Sequence, residues 1–287
     1  MKRYLEARKN HGAQSMNSKR VKVLSVPYAL WVVGFTVIPL IFVFAKAFSS
    51  PAGGFTFDNL IAIFDPVHRK ALFLSVELAF ISSLLCILIS YPAALILKSS
   101  KIKNKKTILF VMILPMWMNF ILRMLAIQMI ISKNGIINHI LSYFGDRIDI
   151  INTPVAIVLG MVYDYLPYML LPVLNCVLAI PDDIIEASKD LGANRLHVLT
   201  KILIPLSLTG IGSGITMVFV PSMTEFVIAN ILGGGKIQLL GNIIEQEFSV
   251  TMNWNLGSGL SVTLMIFVLL TTLLFGRSSD TDKGFVI

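Results

Sequence analysis

PDDIIEASKDLGANRLHVLTKILIP, residues 181–205, is the longest charged, helix-patterned segment lying between apolar runs of this chain. Pro181 can open a helix because the N–H it lacks would go unpaired in the first turn, and Asp182 and Asp183 then sit where the helix dipole favours negative charge. Ile184, Ala187 and Leu191 recur at helical spacing on one face, with Ile185 and Ser188 beside them, and Gly192 stands where a helix terminates. Asn194 can cap a second helix, whose apolar positions Leu196, Leu199, Ile202 and Leu203 run on past Pro205 into an uncharged segment. This pattern predicts a helix–glycine–helix elbow at a membrane surface. On pattern alone, a plain connector between two spans is the competing reading.

Outward from the elbow, the chain is too apolar for a soluble domain: 55% of its residues are hydrophobic, 14% are charged and the mean hydropathy is +0.79. The runs Val23–Ala45, Ala71–Leu97, Thr107–Ile131, Thr153–Ile180 and Leu206–Leu232 each reach the ~20 residues a helix needs to cross a hydrocarbon core, and Leu260–Phe275 does so with its flanks. Runs of this length exclude barrel strands, so the expected class is an all-α membrane protein with six transmembrane helices. The first run exceeds the ~7–15 apolar residues of a signal-peptide core, and despite the cleavage-like Ala45-Lys46-Ala47 it reads as a retained span. The expected organisation is a basic tail at 1–22, a first transmembrane helix at 23–48, a core at 70–276 carrying the 181–205 elbow, and a tail at 277–287. Pro92, Pro115, Pro167, Pro172 and Pro221 fall inside spans and predict bent or broken helices. Gly210 and Gly214, four apart, offer a small face for close helix packing.

The net charge of +8 does not point to nucleic acid, because the basic residues are confined mainly to short segments between spans. Seventeen of them lie on the side shared by the N-terminal tail, the 98–106 segment, the elbow and the C-terminus, against six on the other side. The positive-inside rule therefore places both termini and the elbow in the cytoplasm. Cys86 and Cys176 lie in apolar spans without partners at metal or redox spacing and read as core residues.

No phosphate loop, zinc-protease or nucleophile-elbow motif is present, and the histidines (His11, His68, His139 and His197) have no ligand spacing. No catalytic residue, metal site or bound cofactor is expected, and any ATP-driven step would need a nucleotide site on another chain. The charges inside spans are Glu77, Arg123, Asp164 and Glu225. Each costs ~2.5–3.5 kcal/mol at a helix centre and must face an interior, a partner charge or water. Arg123 can pair with Asp164, or the three acids can line the path of a cation with Tyr163, Tyr165, Phe226 and Trp117 as aromatic neighbours. Both alternatives stand at this point.

Glu186-Ala187-Ser188, then Gly192, then Ile202-Leu203-Ile204-Pro205 resembles the loop E-A-A-x3-G-x9-I-x-L-P of MetI-like permease subunits of bacterial ABC importers. Ser188 for Ala and Ile204 for Leu are the two departures. Across about residues 55–275 the stretches LPMWMNFILR (114–123), YDYLPYMLLP (163–172) and PSMTEFVIANILGGG (221–235), followed by Gly241-Asn-Ile-Ile244 and Trp254, resemble the spermidine/putrescine permease family. The resemblance implies the MetI-like fold and alternating-access import of polyamines. In that family Glu186, Ala187, Ser188, Gly192, Ile202 and Pro205 would couple to the ATPase. It also implies a second, PotC-like permease, a PotA-like ATPase dimer that binds ATP and Mg, and a PotD-like extracytoplasmic binding protein, all at a bacterial inner membrane. Permeases for ferric iron, thiamine or sulfate share the scaffold and are the nearest alternatives; an ion-coupled secondary transporter using Asp164 and Glu225, or a non-transporting scaffold, are the others.

Overall fold

A computed structural model describes residues 26–28, 30–50, 53–100, 102 and 105–280, the side chains of 106, 109 and 274–280 apart. The expected basic tail at 1–22, residues 23–25 of the first run and the end of the chain from 281 lie outside the described residues. The first helix, α1 (Val26–Ala47), is apolar up to Lys46 in its last turn and contains a π-turn at Val33–Val37. A short connection containing Asp58–Ile61 and Ala62–Phe64 leads to α2 (Pro66–Ser99), which opens on a proline at its first position and ends with Lys98 in its last turn. With 34 residues α2 is about 50 Å long, longer than a hydrocarbon core is thick.

The expected third span, Thr107–Ile131, is not one helix. It divides into α3 (Lys105–Ile113), a 3-10 turn at Leu114–Trp117 and α4 (Phe120–Ile131), followed by α5 (Ile136–Ser142). Pro115 withholds an N–H, Met118 is extended, and the Asn119 side chain accepts the Leu122 N–H at 3.2 Å to start α4 afresh. Hydropathy is blind to this break because both halves are apolar. By length and composition the spanning segment here is Phe120–Ser142.

At the centre lies α6 (Pro154–Ala179), where the Thr153 hydroxyl accepts the Ala156 N–H and Pro154 occupies the first position. After it come α7 (Asp182–Asp190), α8 (Arg195–Leu206) and α9 (Leu208–Met223), with a 65° bend between α8 and α9 at Ser207. The expected fifth span, Leu206–Leu232, is also interrupted: the helix stops at Met223 and α10 (Val227–Leu232) restarts it. Next come α11 (Leu240–Ser249), which the sequence reading did not separate as a helix, and α12 (Trp254–Asp280), which starts before Leu260 and runs past the expected core end at 276. Among the described residues five helices are long and apolar enough to span, or six if the bent pair at Ser207 is one span, in agreement with the expected all-α class.

α6 packs on α2 and α9, and α9 in turn packs on α2 and α12. Leu78, Cys86, Met161, Met169, Val173, Leu174 and Val218 interlock in the main core; Ala79, Phe219, Met223, Leu240 and Leu260 form a second that ties α11 and α12 to α2 and α9. In lipid, apolar burial does not drive helices together, so close van der Waals fit has to. The small face of α9 supplies it: a Cβ on Gly210 would lie 2.7 Å from the Cys176 side chain and the Pro172 carbonyl, and one on Gly214 would lie 2.5 Å from the Met169 sulfur.

Candidate functional site

The elbow forms as its residues predict. Asp182 and Asp183 occupy the first turn of α7, Gly192 takes φ +86° just past its end, and the Asn194 side chain accepts the His197 N–H at 2.8 Å to cap α8. The Gly192 N–H donates to the Lys189 carbonyl and the Ala193 N–H to the Ser188 carbonyl, closing the exposed end of the first helix. At the first departure from the family pattern, the Ser188 hydroxyl donates to its own helix at the Ile185 carbonyl. Glu186, Ala187 and Gly192 are exposed, as is Leu191 at 89%. An apolar side chain thus lies bare at the chain reversal, beside an exposed acid.

The two flanks of the elbow differ. Ser188, Gly192 and Ile202 meet around a recess of about 440 Å³, whereas Glu186 opens onto a larger one of about 1050 Å³ shared with Lys98, Asp182 and Arg195. Pro205 lies farther along, exposed in the last turn of α8. Lys98, which the sequence shows only as one of a run of basic residues, joins the elbow to the bundle. Its Nζ donates to the Ile180 carbonyl at 2.6 Å and pairs with Asp182 at 3.0 Å. The ammonium thus sits between the C-terminal end of α6 and the N-terminal acid of α7, both favourable for its charge. The Lys98 hydrogen bond and charge hold the exposed Asp182 carboxyl below the usual carboxylate range. A depressed carboxylate contributes its interaction above the ordinary pKa and loses it as pH falls through the lowered one, so this link is complete at neutral pH.

Inside the bundle the two open readings of the charges separate. Arg123 and Asp164 form a buried ion pair, and the second guanidinium nitrogen of Arg123 donates to the Pro115 carbonyl at 2.9 Å. One arginine therefore bolts the broken α3–α4 junction to α6. Glu225, also buried, accepts the Tyr165 hydroxyl at 2.5 Å, and its other oxygen accepts the N–H groups of Phe226, Val227 and Ile228. It caps α10 across the interruption, supplying acceptors for donors that a helix start leaves orphaned. Asp164 and Glu225 are thus committed to internal partners. Glu77 is exposed on α2, and Trp117 and Tyr163 are exposed at 77% and 47%; no recess described here brings them together. Phe226 alone of the proposed aromatic residues lines one. Tyr165, expected as an aromatic neighbour of the charges, acts instead through its hydroxyl, and the role of Lys98 has no sequence signal, because a lysine at the end of a span is ordinary until its partners are known. Among the described residues, no group of three histidine, cysteine, aspartate or glutamate side chains could hold a metal ion.

Interrupted apolar helices around a buried charge network, with an exposed helical elbow at one end, are the architecture of a membrane transport component. Residues 87–279 match the family of binding-protein-dependent transport system inner membrane components, and the chain belongs to it. Relatives named spermidine/putrescine transport system permease protein PotB are 31% identical over 92% of this chain and 96% of their own in Haemophilus influenzae, and 32% identical over 87% and 94% in Escherichia coli K12. A solved bacterial ABC transporter involved in the import of the acidic polysaccharide alginate matches in fold, with TM-score 0.75 over 94% of this chain and 98% of that one at 16% identity. That the chain is a multi-pass inner membrane transport component follows from this membership and its apolar helices.

Proposed function

We propose that the chain is the polyamine-conducting permease subunit of an ATP-driven importer. The observation that carries the substrate class is its near end-to-end similarity to the spermidine/putrescine permeases, a similarity that includes the broken-helix segments as well as the elbow. In this reading the 181–205 elbow faces the cytoplasm, as do both termini, and docks on one subunit of a PotA-like ATPase dimer. A PotC-like second permease completes the path and a PotD-like binding protein delivers substrate from outside. ATP binding draws the elbows together and biases a two-state bundle; hydrolysis resets it. Glu186, Ala187, Ser188, Gly192, Ile202 and Pro205 form the coupling surface, and ATP and Mg belong to the ATPase. Glu77, Tyr163 and Trp117 are exposed in a way that suits the path, and Phe226 lines a groove on it. Asp164 and Glu225 hold the walls of that path in shape. Reconstitution of the four-component complex is the test: ATP-dependent uptake of labelled spermidine, competed by putrescine and not by ferric iron, thiamine or sulfate, is the expected result. Competition only by one of the latter would replace the substrate class while leaving the importer reading intact.

Lys98 gives this reading a second measurable consequence. Lys98→Met removes the link between α2 and the α6–α7 junction, so movement of the elbow reaches α2 less completely. Transport per ATP hydrolysed is expected to fall roughly fivefold or more, the low end of typical coupling free energies, while the complex stays assembled. Lys98→Arg, which can still reach both the Ile180 carbonyl and Asp182, is expected to keep most of the coupling. An unchanged transport-to-hydrolysis ratio in Lys98→Met would show that the lysine transmits nothing.

A further inference from the structure

Between the break that follows α9, α11 and α12 runs a groove of about 550 Å³ lined by Thr224, Phe226, Glu245, Phe248, Ser249 and Ser261, together with aliphatic side chains of α12. Its back wall is the interruption of the fifth span. Thr224 is exposed and Phe226 is 38% exposed, so this non-helical backbone is not shut inside protein. The Tyr165 hydroxyl reaches the intervening Glu225 from near the middle of the 26-residue α6, which sets the interruption well inside the bundle. Non-helical backbone at membrane depth persists only where protein buries it or where it lines a wet cavity. An exposed break of this kind therefore faces water or a partner chain of the complex, and not lipid.

Glu245 is the charged side chain of that groove. Its described partner is the Ser249 hydroxyl, which donates to Oε1 at 2.9 Å, and among the described residues no lysine, arginine or histidine pairs with it. A carboxylate has acceptor capacity for about four hydrogen bonds, so one hydroxyl leaves most of it open to a ligand. Phe226 and Phe248 present aromatic rings to the same space, and the ring faces attract ammonium groups. The helix is held to the break by Gly241, where a Cβ would come within 2.7 Å of the Thr224 carbonyl and 2.8 Å of that of Glu225. The acid is thereby fixed beside the interruption and does not ride on a loose loop. In contrast with Asp164 and Glu225, whose acceptors are taken up within the fold, Glu245 keeps its charge for something outside this chain.

We propose that this groove is an ammonium-binding subsite of the transport path, with Glu245 as counter-charge and Phe226 and Phe248 as aromatic walls. The assignment rests on the polyamine reading above and adds to it the site where one end of the polycation is held. A single carboxylate with two aromatic rings holds an ammonium loosely enough to let it go, which a path requires.

The complete complex in proteoliposomes tests it through ATP-driven uptake of labelled spermidine. Glu245→Gln keeps the shape and the Ser249 contact but deletes the charge; uptake is expected to drop roughly tenfold, with assembly and basal ATP hydrolysis at wild-type levels. Glu245→Asp is expected to restore most of the rate, and Phe248→Leu to lower it where Phe248→Tyr does not. Wild-type uptake by Glu245→Gln would overturn the subsite, and so would failure of that variant to assemble, since the carboxylate would then be a packing group. A wild-type complex that moves no polyamine at all would overturn the substrate reading and take the subsite with it, an outcome distinct from either of these.

Discussion

Asp164→Asn, made alone, is expected to cost the complex its integrity rather than merely its transport rate. The substitution leaves the Arg123 guanidinium buried against an uncharged amide, and removing one partner of a buried ion pair costs about 3–5 kcal/mol. That is a large share of the 5–15 kcal/mol by which a typical domain is stable. The damage extends to the interrupted segment, because the same guanidinium donates to the Pro115 carbonyl where α3 gives way to α4. The yield of assembled complex on size exclusion and its thermal unfolding midpoint are the readouts, and both are expected to fall steeply. Neutralising the pair together, in Asp164→Asn with Arg123→Gln, removes the stranded charge and is expected to recover most of the yield. Recovery stays incomplete because the Pro115 carbonyl loses a charged donor. An Asp164→Asn complex as stable as wild type would mean that the pair contributes nothing to the fold and would return Asp164 to the list of residues that meet substrate.

The second large effect is expected at the elbow. In the unsubstituted chain Gly192 holds φ at +86°, where a β-branched residue pays the full steric penalty of ~1–2 kcal/mol or more for the left-handed region. No atom lies within 4 Å of a Cβ built there, so crowding is not the objection; the backbone conformation is. Gly192→Val should therefore reorient α8 against α7 and displace the exposed Leu191, while leaving membrane insertion untouched. Uptake is expected to fall below about a tenth of wild type, equivalent to ~1.4 kcal/mol or more of lost coupling, with the ATPase co-purifying poorly or hydrolysing without transport. Gly192→Asn serves as the control, because asparagine tolerates the left-handed region, and it should retain most activity. Glu186→Lys, which inverts a charge on the same exposed face, is expected to behave like the valine variant. Normal uptake and normal co-purification in Gly192→Val would remove the elbow from the coupling mechanism.

The contrast between these two regions explains what could be read from the residues alone. The elbow was legible in detail, from the acids in the first turn through the positive φ of Gly192 to the cap at Asn194, because every one of those features is decided by neighbours within four residues. The spans and their number were legible for a similar reason: a hydrocarbon core imposes one length and one polarity on each helix independently. Where a span breaks was only half visible. Pro115 and Pro221 warned of bends, but whether a proline kinks a helix or ends it depends on what satisfies the released backbone groups. Here that work falls to Asn119 and Arg123 at one break and to the Glu225 carboxylate at the other. The partners of the charges are decided by tertiary structure alone. Asp164 meets Arg123 across 41 positions of sequence, Glu225 meets Tyr165 across 60 and Lys98 meets Ile180 across 82. No local pattern encodes those meetings, since they arise from how α6 packs on its neighbours. That packing gave two of the acids expected on a cation's path partners within the fold, and left Glu245, a residue with no signal of its own in the sequence, facing the groove.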